Sequence, residues 1–200
     1  MKKVSKESVL LFGVVLALSA LVMPSMASAA SWSPVGTTDG RMDSSDLGFF
    51  APALNSGSVC RAVSFNITVD NAAVATVTAA SFGNCVGNAG SFLGCTLTAT
   101  GTNFPWRATA TATHNIQIHG VDIDVAFEPL PGTAASHCAN NGVQVRLTGT
   151  VTNATFTPSG RRIDFGNAHG LTAHVQIPAV SVPAVPTGSV GLTGLLNVLD

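Results

Sequence analysis

Alternation of apolar and polar residues recurs along most of this chain. From Val121 to Phe127 the odd positions Val121, Ile123, Val125 and Phe127 are apolar, and Asp122, Asp124 and Ala126 are polar or small. That two-residue period belongs to a strand with one face on a core and one in water. Val59 to Asp70 repeats it. Val63, Phe65, Ile67 and Val69 share one face, and Ala62, Ser64, Asn66 and Thr68 the other. Arg61 interrupts the apolar face near its end, where a long side chain reaches outward.

Further strands follow at turn-bounded spacing. Asp70-Asn71 is a turn signal, and Ala73 to Phe82 is the antiparallel return. Gly83 to Gly94 turns the chain before a strand over Leu93 to Thr100. Phe104-Pro105-Trp106 belongs at an edge or bend, because Pro105 has no N–H to donate. Arg107 to Thr113, Asn115 to Gly120 and Val121 to Phe127 add two or three strands. His137 to Asn153 continues the pattern through Val143, Val145 and Leu147. Ala154 to Asn167 reads as a hairpin turning at Pro158-Ser159-Gly160, and Leu171 to Ile177 alternates again. Pro178, Pro183 and Pro186 mark a stiff connector, and Gly188 to Asp200 is a terminal strand. Near the start, Trp32 anchors a first strand, whereas the polar stretch Thr38 to Leu47 reads as a loop.

About nine or ten short strands without helical periodicity predict an all-β chain, a single antiparallel β-sandwich or barrel-like domain. The first residues stand apart. Lys2, Lys3 and Lys6 precede the apolar run Val9 to Val22, and Pro24 and Ala27-Ser28-Ala29 follow. This is the layout of a signal peptide, with cleavage after Ala29, and it predicts a chain secreted or held in the cell envelope. The expected organisation is a signal at 1–29, a β-domain at 30–178, and a Pro/Gly-rich connector with a terminal strand at 179–200. No transmembrane segment is expected after signal removal.

Charge narrows the partners. The chain after residue 29 has six arginines, nine acids and no lysine, a net charge of −3. Scattered arginines on a weakly acidic chain give no electrostatic footprint for nucleic acid. Four cysteines, Cys60, Cys85, Cys95 and Cys138, predict two disulfides in an oxidising compartment, and three connectivities are open. One of them joins Cys85 to Cys95 and Cys60 to Cys138.

Candidate chemistry is sparse. Asp122 and Asp124 share the polar face of one strand, but a catalytic acid needs a pocket that raises its pKa. Asp39, Asp43 and Asp46 lack the EF-hand spacing for calcium and read as a solvated loop. The histidine pairs 114/119 and 169/174 are five residues apart, which puts each pair on opposite faces of a strand and argues against a shared metal. No catalytic residue, metal site or cofactor is expected. Leu192, Leu195, Leu196, Val198 and Leu199 form an apolar terminal segment that either closes its own sheet or adds to a neighbouring subunit.

Several of these features together resemble a family of secreted bacterial proteins, the protein activators of alkane oxidation. They are the cleavage site followed by Ser31-Trp32-Ser33-Pro34, the strand with Cys60, Ser81-Phe82-Gly83-Asn84-Cys85, Phe104-Pro105-Trp106 and Cys138. The resemblance implies a non-enzymatic accessory protein that helps cells use or emulsify hydrophobic hydrocarbon at the cell surface or outside the cell. It brings no established catalytic residues. The expected partners are a hydrocarbon or surfactant interface, with Phe104, Pro105 and Trp106 as candidate hydrophobic contact, and other copies of the chain. The alternative is a structural subunit of a surface filament or adhesin, assembled by strand addition.

Overall fold

The computed structural model describes residues 30–112, 114–132, 138, 144–176, 179–194 and 196–199. The first 29 residues, read from sequence as a signal, lie outside these residues, as do His137 and Leu195. The described residues form an all-β fold, with single 3-10 turns at Pro52–Leu54, Gly90–Phe92 and Pro158–Gly160. Its strands are β1 (Ser31–Ser33), β2 (Gly40–Ser44), β3 (Leu47–Ala51), β4 (Ser56–Asn71), β5 (Val74–Ala89), β6 (Cys95–Gly101) and β7 (Trp106–Ala112). They continue with β8 (Asn115–Pro129), β9 (Gln144–Thr157), β10 (Arg162–Asp164), β11 (His169–Gln176), β12 (Ala179–Thr187), β13 (Ser189–Thr193) and β14 (Asn197–Leu199).

Twelve of these strands form one antiparallel sheet whose pairings return to their start. β4 pairs with β5, and β5 with both β6 and β7. Those two pair with β8, and β8 pairs with β9. β9 pairs with β11 and β10, which pair with β12 and β13. The last two meet β3 and β2, which lie along β4. The sheet therefore has eight lanes. Four are long strands, and four are split in two: β2/β3, β6/β7, β10/β11 and β12/β13. This splitting explains fourteen strands where the sequence pattern counts nine or ten.

The split lanes define a waist across the sheet, and the long strands respond to it. On β8, Ile116 and Ile118 face the core, and then Val121, Ile123, Val125 and Phe127 do. The parity changes at Gly120, whose φ is +73°. On β9 the buried set shifts from Val145, Leu147 and Val151 to Ala154 and Phe156, across Asn153 at φ +58°. On β4 the shift falls across Arg61 and Ala62, from Cys60 to Val63. A strand that keeps apolar residues inward through a sharp change of neighbour needs an extra outward residue there, which is what a bulge supplies.

Some sequence expectations change. Thr38–Leu47 is not all loop, since β2 occupies Gly40–Ser44 with Met42 buried. The Pro-rich stretch after residue 178 is not a connector but strand β12. It pairs with β11 through Ala179–Ala184 and with β3 through Val185–Thr187. Pro183 and Pro186 therefore each face a ladder on one side only, the position a strand proline tolerates. β12 and β13 fill one lane of the same sheet as the preceding strands. The 115–120 and 121–127 segments are one strand, β8. The disulfides are Cys60–Cys85, across a β4–β5 register pair, and Cys95–Cys138. The connectivity through Cys85–Cys95 is excluded.

Two ends result. At one, β1 and β14 pair as a separate ribbon, Ser31 to Leu199 and Trp32 to Val198. Trp32, Leu196 and Val198 are buried there, and the Trp32 indole N–H donates to the Ala108 carbonyl at 3.1 Å. At the other lie the turns 52–55 and 90–94 and both disulfides' outer halves.

Gly149 on β9 and Gly170 on β11 allow a close backbone approach at the waist. A Cβ on Gly149, at φ +138°, would stand 2.4 Å from the Gly170 carbonyl oxygen. Gly149→Ala is expected to cost about 2–4 kcal/mol from overlap and left-handed strain. Gly166→Ala, where a Cβ meets nothing within 4 Å, is expected to stay within about 0.5 kcal/mol. Urea unfolding of the two oxidised variants checks this, and equal midpoints would contradict the close approach.

Candidate functional site

The waist gathers the polar and aromatic residues that stood out in the sequence. The chain leaves β6 through Thr102 and Asn103 and enters β7 at Trp106, with the Phe104–Pro105 peptide bond cis. This is the bend expected of a step with no proline N–H. Thr102 N–H donates to the Asp122 carbonyl at 2.8 Å, and the Trp106 indole N–H donates to the Thr102 carbonyl at 2.9 Å. Trp106 is turned inward and only 2% exposed. Phe104 stacks on it at 4.7 Å, and Phe65 lies beside it with Phe82 edge-on at 5.8 Å. Of the candidate contact trio, Pro105 alone is exposed, and Phe104 is half-buried.

Behind this cluster is a cavity of about 40 Å³ with wholly apolar walls, among them Met42, Phe49, Phe65, Phe82 and Trp106. A second, of about 30 Å³, lies toward the end with the 52–55 and 90–94 turns, bordered by Phe50, Leu54, Phe92, Ser56 and Ser58. Phe49 borders both. The first offers a water no polar partner, and an apolar cavity stays dry for that reason.

The acids resolve differently from each other. Asp124 is exposed, but Asp122 is 7% exposed although it points to the outer face. Its cover comes from elsewhere in the chain. Arg146 on β9 donates Nε to Oδ1 at 2.8 Å and its terminal nitrogen to Oδ2 at 2.5 Å. Asn103 donates to Oδ2 at 2.5 Å. The Arg146 fork, which outweighs the opposing effect of burial, lowers the Asp122 pKa from 3.8 to about 2. A general acid needs the opposite shift, so Asp122 holds the waist together and donates no proton at neutral pH. Sequence reading missed Arg146. The available signal was its outward parity on β9, opposite in charge to Asp122 and Asp124 across the register.

The remaining candidates are also in structural roles. His174 sits between the Thr148 hydroxyl at 2.9 Å and the Ser181 hydroxyl at 2.8 Å, across three strands. Asp43 pairs with Arg41 at 3.0 Å, and the Asp46 carboxylate accepts from Ser44 and the Ser189 N–H. No group of three metal-ligating side chains comes together among the described residues. In the terminal segment, Leu192 lies in β13 and Leu196 is buried. Val198 pairs with β1 of the same chain, and Leu199 is exposed. Arg161 clamps this segment by donating to the carbonyls of Gly194, at 2.8 Å, and Leu196.

Together these features define an all-β, disulfide-tied domain whose charged groups brace the sheet. Among the described residues no helix is long and apolar enough to cross a membrane. The chain belongs to the alkane oxidation protein activator PraA/PraB-like family, whose model matches residues 1–185. The family is named for an activator of oxidation and not for an oxidising enzyme. No curated protein and no solved structure shows a significant match.

The ion pair sets a pH dependence. The unfolded chain protonates this acid near pH 3.8, the folded chain only near 2. Below about pH 4 protons therefore favour the unfolded chain, and the pair's stabilisation is lost as pH falls through about 2. Arg146 is half exposed, which reduces the contribution to about 1–2 kcal/mol. The stability difference between wild type and Asp122→Asn is expected to be largest above pH 5 and to shrink toward pH 2. A constant difference from pH 7 to 2 would contradict the assignment.

Proposed function

We propose that this chain is an exported, non-enzymatic accessory protein that associates with hydrophobic substrate and aids its use, at the cell surface or outside the cell. The family match carries the reading, because it ties the chain to activation of alkane oxidation. Export is supported by the basic start, apolar run and Ala27-Ser28-Ala29 of the first 29 residues, and by two disulfides that suit an oxidising compartment. The physical role follows from how the charged groups are used. Asp122, Arg146, Arg161 and Asp46 are bound into the sheet and its terminal ribbon, so contact with an apolar substrate falls to the outer surface. Its strands carry threonine, serine and asparagine and few charges, a composition with little desolvation cost against an oily phase. Within the described residues, Asn197–Leu199 pair with β1 of the same chain, which favours the accessory reading over the filament alternative.

The test is direct. Purified, oxidised protein is expected to adsorb to a dispersed n-alkane and to slow droplet coalescence at micromolar concentration. Emulsion lifetimes that are unchanged by the protein would overturn the reading.

A further inference from the structure

The break between β6 and β7 leaves a gap in the ladder around the sheet. β5 pairs with β7 through residues 74–77, and with β6 at Ser81, Cys85 and Val86. Residues 78–80 and 82–84 have no ladder partner on that side. Across the gap, β8 pairs with β7 up to His119 and with β6 from Ile123. The 102–105 bend fills the space, fixed to one rim where the Thr102 N–H donates to the Asp122 carbonyl. Phe104 is its seal. A Cβ on Gly101 would stand 2.7 Å from the tip of the Phe104 ring and 3.1 Å from the Ala80 Cβ. The ring therefore packs between the end of β6 and the unpaired part of β5.

Directly inside this gap lies the larger cavity, of about 40 Å³. Trp106 and the half-buried Phe82, from the two strands that flank the gap, both line it. Phe65 joins them, with its ring centre 6.4 Å from Trp106 and 5.8 Å from Phe82. Met42, Ile118 and Ile123 are among its other walls, and every lining side chain is apolar. A closed sheet of eight strands has an interior that side chains just fill or that holds one small ligand. Here the filling is incomplete next to the one wall segment that a bend closes.

We propose that the cavity behind Trp106 is a binding site for a small saturated hydrocarbon, which enters through the β6/β7 break past Phe104. The inference rests on the function proposed above and adds to it. A droplet meets the outer surface, whereas a single dissolved hydrocarbon molecule needs an enclosed site. The walls select the guest. A polar or charged molecule would lose its water there and gain no partner. A saturated hydrocarbon has no such loss, and it supplies the dispersion contacts that the lining of a void lacks. Volume sets the size. The cavity exceeds the share of about 30 Å³ that one water takes in the liquid, which suits a guest of about one or two carbons. Phe104 is the part of the seal that moves. It lies on a bend outside the strands, and displacing its ring breaks only apolar contacts, chiefly the stack on Trp106 at 4.7 Å. Trp106 stays, held by its indole N–H on the Thr102 carbonyl.

The experiment uses oxidised protein with carbon-13-labelled methyl groups, equilibrated with ethane at stepped pressure and with nitrogen as control. Saturable NMR shift changes are expected at Met42, Ile118 and Ile123, with a dissociation constant on the order of millimolar. Ile163 and Val190, equally buried but not part of the cavity walls, are expected to stay unshifted. Val151→Ile and Val121→Ile each add a methylene from the wall and are expected to abolish the response. Phe104→Ala, or Phe104→Leu if the first does not fold, is expected to keep the affinity and to quicken exchange of the guest. Thermal melts check that each variant folds. A wild type without saturable shifts, or shifts that survive both filling variants, overturns the site. Exchange that Phe104 variants leave unchanged or slow overturns the entry route. Droplet adsorption, measured on the same protein, separates the two readings. Protein that coats droplets but takes no ethane loses this site and keeps the proposed function. Protein that takes ethane but does not coat droplets keeps the site and loses that function.

Discussion

Closure of the hydrogen-bonded circuit is the constraint on which the rest depends. Eight lanes that return to their starting strand leave no lane without a neighbour, which removes the open edges that invite pairing with other chains. The geometry has a cost. Each long strand changes neighbours part-way along, and its apolar residues must stay inside through that change. Gly120 and Asn153 absorb this with left-handed backbone, and Gly149 and Gly170 let two strands approach within a distance that no side chain permits. Where the β6/β7 lane breaks, at 102–105, Thr102 and Asn103 bond to Asp122 and cover part of the outward side of β8.

That covering determines what the polar residues do. Asp122 sits on the outward side of β8, where an acid is ordinarily solvated. The Thr102–Asn103 turn and Arg146 enclose it, and once enclosed it has to be paired, because an unpaired buried carboxylate is costly. The bidentate guanidinium and the Asn103 amide satisfy it. The same logic applies to Arg161, which closes the terminal ribbon by donating to carbonyls that strand pairing leaves open. Charged side chains thus brace the waist, through Asp122 and Arg146, and the ribbon end, through Arg161.

Much of the fold was legible in the sequence because two-residue alternation survives wherever one face is buried. The faces of β4, the Pro158-Ser159-Gly160 turn, the strand at Trp32 and the all-β class were all readable. What was not readable has a common cause. β2 buries only one large apolar side chain, Met42, so its pattern is lost among polar neighbours. β12 carries prolines that count against a strand until one knows that each faces a single ladder. The disulfide pairing depends on register between β4 and β5, and Asp122 is covered by residues nearly twenty positions away. Each of these is fixed by which segments become neighbours, and composition and periodicity do not encode that. The site was harder still, since the Asp122, Arg146 and Asn103 arrangement belongs to no motif and forms only when three separate segments meet.

The β1–β14 ribbon also bears on how the molecule reaches this form. Trp32 lies near the start of the described chain, yet the strand that completes its cover holds Val198, at the other extreme of the described residues. Until β14 arrives, the indole has no partner strand and the end of the sheet stays uncapped. Contacts of such long sequence separation form late, after much loop-closure entropy has been spent. The ribbon end is therefore the part of the fold whose order depends on segments from both extremes of the described residues.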